Sequence, residues 1–239
     1  MPFFKQDGID IHYKEHGNPN GFPVLLIAPG GMKSTMDAWD RMPWDPRERL
    51  SDYRVIAMDQ RNAGRSSGPI PIDGWLEYTA DQLALLEYLR VDQFHVVGMC
   101  IGGPYIAGLI FAARERVRSA VMMQPIGLDE NRQAFFDMFN GWMSGIRSLH
   151  PETSVADWNA FRDEMFGGEF LFNASEELVK TIETPILLLH GADLYHPASI
   201  SQRLDALLPN VTSVVQWKTG DALAAADATI QAWLSSQGS

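Results

Sequence analysis

The sequence predicts an α/β fold in which a mostly parallel sheet carries helices on both of its faces. Continuous apolar runs at residues 23–28, 53–58 and 94–99 have the composition of strands that are buried on both sides. Helical patterns separate these runs, and such alternation of strand and helix is typical of parallel sheets. The length of 239 residues and the 46% of apolar residues are sufficient for a large core.

The N-terminal part of the chain begins with a predicted antiparallel hairpin. Apolar and charged residues alternate weakly over residues 3–16 around the turn at Asp7 and Gly8. A buried strand follows and breaks at Pro29. The pattern then predicts an irregular helical segment (34–51), a strand (53–58) and an amphipathic helix (75–89). After these come a strand (94–99), a buried helix (105–111) and a further strand (118–124).

An insert of about fifty residues with a mostly helical pattern then interrupts the alternation. Residues 128–180 are rich in Phe, Trp and Met, which can form an adaptable apolar pocket wall, although most of them serve only to pack the insert. The alternation then resumes with a strand (185–190), a helix (200–207), the last strand (211–217) and a closing helix (223–234). We therefore divide the chain into an N-terminal part of the core (1–127), the insert (128–180) and a C-terminal part of the core (181–239).

The central motif is a strand, a sharp turn and a helix with one nucleophile at the turn. The sequence Gly98-Met99-Cys100-Ile101-Gly102-Gly103 joins a β-branched run to a helical pattern. Its glycines allow strand and helix to cross closely, and the tight turn projects the thiol into open space. The N-terminus of the helix favours the thiolate form. The other interpretation of this motif is a buried structural cysteine.

The motif resembles the nucleophile elbow of the α/β-hydrolases, with Cys100 in the position that serine normally holds. Residues 59–66 are also similar to a conserved turn of that family and depart from it at Asn62, which tolerates a left-handed backbone. The resemblance covers the whole chain. It implies an α/β-hydrolase fold with an eight-stranded sheet and a small helical cap, which residues 128–180 form over the site.

The resemblance also implies which groups surround the nucleophile. It assigns an oxyanion hole to the backbone N–H of Ile101 and to that of Gly31 or Met32. The family carries its base histidine just before the final helix, but residues 218–223 contain no histidine. This is the largest departure from the family pattern.

Three interpretations of the site remain open. In the first, His196 is the base, and its orienting acid is Asp193, three residues earlier, or Asp221, which stands where the family has its histidine. In the second, the Cys100 thiolate attacks without a base. In the third, the elbow is only a scaffold, and the protein binds a small molecule or a partner without catalysis.

We expect a hydrolase that acts on a small, mainly apolar ester, thioester or lactone through a thioacyl intermediate on Cys100. The alternative is a catalytically degenerate member of the family that binds a ligand. The net charge of −11 argues against nucleic acid and membrane surfaces as partners, and a homo-oligomer is possible. The sequence predicts no metal and no cofactor. The single cysteine and the N-terminal segment, which has no signal-peptide pattern, predict a cytoplasmic protein.

Overall fold

Eight strands form a single sheet in residues 2–238, the part of the chain that the computed structural model describes. They are β1 (Phe3–Gln6), β2 (Ile9–Gly17), β3 (Pro23–Ile27), β4 (Arg54–Met58), β5 (Phe94–Met99), β6 (Val117–Met123), β7 (Ile186–Leu189) and β8 (Val211–Val214). Their order across the sheet is β1-β2-β4-β3-β5-β6-β7-β8. Only β2 pairs in an antiparallel manner, with β1 and with β4, so the predicted eight-stranded and mostly parallel sheet is confirmed.

Helices cover both faces of this sheet. The same described residues form α1 (Pro46–Arg49), α2 (Trp75–Tyr88), α3 (Gly102–Ala113), α4 (Arg132–Ile146), α5 (Val155–Phe166), α6 (Glu176–Val179), α7 (Ala198–Leu207) and α8 (Gly220–Ser236), with 3₁₀ turns at Gly31–Lys33, Met36–Arg41 and Arg147–Leu149. On one face, α2, α3, α7 and the insert share a buried apolar cluster with the strands. On the other face, α8 packs with buried tryptophans of residues 39–44.

Two details of the predicted elements are wrong. The last strand ends at Val214 instead of residue 217, because Trp217 turns into the core and its Nε1–H donates to the carbonyl oxygen of His190 at 2.8 Å. In α2, the apolar periodicity places Leu76 on the buried face, but Leu76 is 73% exposed. The buried face of α2 is instead formed by residues such as Tyr78 and Leu85.

The insert between β6 and β7 contains α4, α5 and α6, which pack through aromatic side chains. Phe135 stacks on Phe166 at a ring distance of 5.3 Å, and Phe139 meets Phe161 edge to face at 5.2 Å. Helix α4 also packs against the 3₁₀ turn that follows β3. Since the loops after parallel strands meet at the carboxyl edge of the sheet, the insert lies against the edge where binding sites of open α/β sheets form.

Candidate active site

Cys100 lies at the sharp turn between β5 and α3. Its φ is 62°, a left-handed conformation that costs energy in a residue other than glycine and is typical of functional sites. Backbone hydrogen bonds hold the turn, since the Cys100 N–H donates to Met123 and the Cys100 carbonyl accepts from Gly103 and Ile126. The thiol therefore has a fixed position at the N-terminus of α3.

The close crossing of β5 and α3 depends on two glycines. A Cβ atom on Gly98 would lie 3.0 Å from the Cα and carbonyl oxygen of Gly102, which is tighter than most real Cβ contacts. The sequence pattern therefore reflects the close packing of the turn, and a larger residue at position 98 would require the start of α3 to shift.

His196 and Asp193 lie together in the loop between β7 and α7. The Nδ1 atom of His196 is 2.7 Å and 2.9 Å from the two carboxylate oxygens of Asp193. The same carboxylate accepts the backbone N–H of Tyr195 and of His196, each at 3.1 Å. Asp193 thus fixes both the turn of this loop and the orientation of the imidazole ring.

His196 and Cys100 also line the same pocket. Nε2 is buried and has no partner with full hydrogen-bond geometry, yet the imidazole and the thiol are close enough to shift each other's pKa. In structures without substrate, hydrogen bonds between catalytic groups are often long or poorly aligned. The structure therefore brings together Cys100, His196 and Asp193 in one chain of contacts.

The pKa shifts of these groups favour charge separation. Burial raises the pKa of Cys100, but His196 and the backbone N–H groups of Gly30 and Ile101 outweigh it, so this pKa lies below its ordinary value. Burial lowers the pKa of His196, whereas Cys100 and Asp193 raise it, and the net shift is upward. Burial raises the pKa of Asp193, but His196 and the backbone N–H of Tyr195 bring it below its ordinary value. The arrangement therefore favours a thiolate, an imidazolium and a carboxylate.

The other predicted site residues Gly31, Met32 and Asp221 differ in whether they line the pocket at Cys100. Gly31 lines the pocket at Cys100, whereas the Met32 side chain is buried in the core. Asp221 lies in the first turn of α8, is exposed and forms no hydrogen bond with His196 within residues 2–238. The structure therefore pairs His196 with Asp193, and Asp221 is not among the described residues that line the pocket at Cys100. The backbone N–H of Gly30, which lowers the pKa of the Cys100 thiol, was not predicted from the sequence.

An apolar pocket of about 340 Å³ opens at Cys100. Its lining combines the loop after β3, the elbow, the insert and the loop after β7: Pro29, Gly30, Gly31, Met42, Cys100, Gln124, Ile126, Phe135, Met138, Tyr195 and His196. Most of these side chains are apolar. A pocket of this size and lining accommodates a small, mainly apolar molecule above the sulfur.

Gln124 is a polar side chain of this pocket that sequence reasoning missed. It follows β6 with a φ of 38°, and its Oε1 atom is buried without a hydrogen-bond partner. An unpaired buried amide costs free energy unless a ligand satisfies it. Position at the carboxyl end of a buried strand was the available sequence signal, since side chains there face the site.

Comparison with known proteins identifies the family of this chain. The sequence model of the α/β hydrolase fold family matches residues 23–164, more than half of the chain. The chain belongs to the α/β-hydrolase family. Among its relatives, a bifunctional esterase/perhydrolase of Acinetobacter calcoaceticus is 30% identical over 229 residues, which cover 79% of this chain and 80% of the relative.

Solved structures of α/β-hydrolases share the fold. A hydrolase from Pseudomonas aeruginosa PA01 has a TM-score of 0.73 at 20% identity and covers 98% of this chain and 97% of its own. An enol-lactonase from Burkholderia xenovorans LB400 has a TM-score of 0.71 at 17% identity, with coverages of 98% and 100%. These likenesses establish the fold.

No helix in residues 2–238 combines the length and the apolar character that a bilayer crossing requires.

Proposed function

We propose that this α/β-hydrolase cleaves a small, mainly apolar ester, thioester or lactone through a thioacyl intermediate on Cys100. The observation that supports it most directly is that Cys100 and His196 line the same pocket and shift each other's pKa, while Asp193 holds Nδ1 of His196. A base oriented by a carboxylate beside a nucleophile at an elbow is the arrangement that covalent acyl transfer requires.

In the first half of the proposed reaction, the Cys100 thiolate attacks the carbonyl carbon of the substrate. The developing oxyanion accepts hydrogen bonds from the backbone N–H of Ile101 and from that of Gly31 or Met32. When the tetrahedral intermediate collapses, the bond to the leaving alkoxide or thiolate breaks, and the leaving group takes the proton of His196 Nε2. Cys100 is then held as a thioester.

In the second half, water replaces the leaving group. Neutral His196 accepts a proton from that water, whose oxygen attacks the thioester carbonyl. Collapse of the second tetrahedral intermediate expels the Cys100 thiolate and releases the carboxylic acid, which restores the starting ion pair. Asp193 stabilises the imidazolium in both halves.

The substrate class follows from the pocket. Its apolar walls and volume of about 340 Å³ favour short acyl or alkyl groups, and the buried Oε1 atom of Gln124 favours one hydrogen-bond donor close to the carbonyl. We further propose that residues 128–180 act as a cap. A free nucleophilic thiol is protected in a reducing compartment, which favours the cytoplasm as the site of action.

Replacement of the nucleophile tests this proposal. With p-nitrophenyl butyrate, we expect the wild-type protein to release a burst of one equivalent of nitrophenol and to carry one butyryl group on quenching, measured by intact-protein mass spectrometry. Cys100→Ala is expected to lose both signals. Cys100→Ser is expected to retain little turnover, because an alcohol stays protonated where a thiol ionises.

Two outcomes would contradict the proposal. Full activity of Cys100→Ser would remove the argument from the thiolate. Turnover in Cys100→Ala at the wild-type rate, or no acylation of the wild-type protein by any activated ester, would overturn the hydrolase and favour the alternative of a protein that binds a small molecule in this pocket.

A further inference from the structure

A second cavity of about 670 Å³ lies on the other side of the contact between α4 and the 3₁₀ turn Gly31–Lys33. Three segments line it: the loops after β3 and β4 and the far half of α4 with the turn that follows it. Its lining residues are Lys33, Thr35, Arg41, Asn62, Ala63, Gly64, Ser66, Ser67, Gly141, Trp142, Gly145, Ile146, Leu149 and His150.

This second cavity differs from the pocket at Cys100 in its charge. Lys33 and Arg41 both line it and are exposed, and neither side chain has an ion pair or hydrogen bond with any residue in 2–238. Its described lining residues include no Asp or Glu. The chain has 30 acidic and 19 basic residues, so its net charge is negative. The two unpaired cations give the lining of this cavity the opposite, positive charge.

The carboxylate behind the cavity wall is already satisfied. Asp59 is buried, and it accepts hydrogen bonds from the backbone N–H of Met36 and of Arg65 and contacts His12 Nδ1 at 3.0 Å. Its described partners lie inside the protein, and it forms no ion pair with Lys33 or Arg41 within residues 2–238. The hydroxyl groups of Thr35 and Ser67 add neutral donors to the same wall.

The shape of α4 also leaves this cavity open. Gly141 and Gly145 lie one turn apart on its cavity face, and a Cβ atom on either would meet no atom within 4 Å. Both glycines are exposed, and glycine inside a helix is less favourable than alanine. The absence of side chains at these two positions keeps the cavity open on the side of α4.

The two cavities are neighbours. Met138 and Gly31 line the pocket at Cys100 and touch each other, since a Cβ on Gly31 would lie 2.8 Å from the Met138 sulfur. Gly141 on the same helix lines the second cavity, about 4.5 Å further along the helix axis. Met138 does not line the second cavity itself, so its flexible side chain forms a partition only on the side of the pocket at Cys100.

We propose that the second cavity binds a carboxylate at the far end of the substrate, while the ester carbonyl of the same molecule lies at Cys100. The inference rests on the proposed ester hydrolysis and specifies its substrate class: an ester with a short aliphatic arm that ends in a carboxylate. Lys33 and Arg41 pair with this carboxylate, and the arm crosses the partition at Met138.

Monomethyl adipate and dimethyl adipate form a matched pair of probes, because they differ only in the charge of the far end. We expect methanol release by the wild-type protein to show a higher kcat/KM for the monoester. In Lys33→Met/Arg41→Met, the ratio of kcat/KM for the two esters is expected to fall about fivefold to tenfold. Lys180→Met/Arg49→Met removes the same charge from exposed residues elsewhere and is expected to keep the wild-type ratio.

Gly145→Phe tests the cavity independently of its charge. The new ring enters open space, and the helix gains in propensity, so the variant is expected to fold. It is expected to lower the ratio as the charge variant does. An unchanged ratio in both variants would overturn the proposal.

Calorimetry on Cys100→Ala separates this inference from the proposed reaction, since binding requires no chemistry. We expect monomethyl adipate to bind this variant more tightly than dimethyl adipate does, and Lys33→Met/Arg41→Met in the same background to abolish the difference. Equal affinities for the two esters would contradict the second site. A failure of hydrolysis with retained selective binding would instead contradict the proposed reaction alone.

Discussion

A single sulfur atom carries most of the proposed chemistry, and its surroundings explain how a cysteine can act where relatives of the fold use serine. Burial alone would keep the Cys100 thiol protonated and inert. The imidazole of His196 and the amides of Gly30 and Ile101 reverse that tendency. The left-handed backbone at Cys100 stores strain that the hydrogen bonds of the turn must offset.

The pH dependence of alkylation measures this reversal directly. Because Cys100 is the only cysteine of the chain, iodoacetamide labels one site, and its rate follows the thiolate fraction. The rate is expected to rise with pH through a midpoint below the roughly 8.5 of a free cysteine. In His196→Ala the midpoint is expected to move upward, since the group that favours the thiolate is gone while burial remains.

The same protein in urea supplies the reference, because its unfolded thiol titrates at the ordinary pKa. His196→Ala is also expected to lower kcat about a hundredfold, the usual contribution of a general base. Equal midpoints for the wild-type and His196→Ala proteins, together with an unchanged kcat, would remove His196 from the site.

At the scale of the element, one loop carries two of the three proposed catalytic groups. The family pattern separates acid and base on two loops, whereas Asp193 and His196 stand three residues apart between β7 and α7. The insert holds this loop, since Asn131 Nδ2 donates to the Leu194 carbonyl at 2.8 Å and Phe135 meets Tyr195 edge to face. In the proposed reaction, the loop before α8 carries no catalytic group.

Replacement of each candidate acid by its amide separates them. Asp193→Asn keeps an oxygen that accepts the backbone N–H of Tyr195 and His196, so the turn persists, but the charge that stabilises the imidazolium is lost. We expect kcat to fall about a hundredfold or more, with little change in KM. Asp221→Asn is the matched control and is expected to stay within about twofold of wild type, as expected for an exposed residue outside the site. A reversed result would transfer the acid role to Asp221.

At the scale of the whole molecule, the sheet was predictable and the pocket was not. Parallel strands buried on both faces leave unbroken apolar runs in the sequence, so β3, β4 and β5 were visible from composition alone. Surface helices leave weaker patterns. Leu76 fits an apolar period of α2 yet faces solvent, because the buried face of the helix runs through Trp75, Tyr78, Gln82 and Leu85.

The site was predictable where the backbone dictates residue type. The glycines around Cys100 are required by a steric contact, so they mark the elbow in sequence. The Gly30 amide and the buried Gln124 carried no such mark, since their roles depend on how separate loops meet. For the same reason, sequence could not state which aromatic residues of the insert line the pocket.

The fit of the insert onto the core is expected to set the length of the acyl group. Phe135 lines the pocket at Cys100, while its neighbour Phe136 lies under the Arg162 guanidinium, 4.6 Å from the ring centre and outside the pocket. Phe135→Leu enlarges the pocket with less disruption than Phe135→Ala. Over p-nitrophenyl esters from acetate to octanoate, we expect the maximum of kcat/KM to move toward longer chains in both Phe135 variants. Phe136→Leu makes the same change one residue away and is expected to keep the wild-type maximum. A shift of equal size in this control would mean that the insert affects specificity through its packing alone and not through the pocket wall at Phe135.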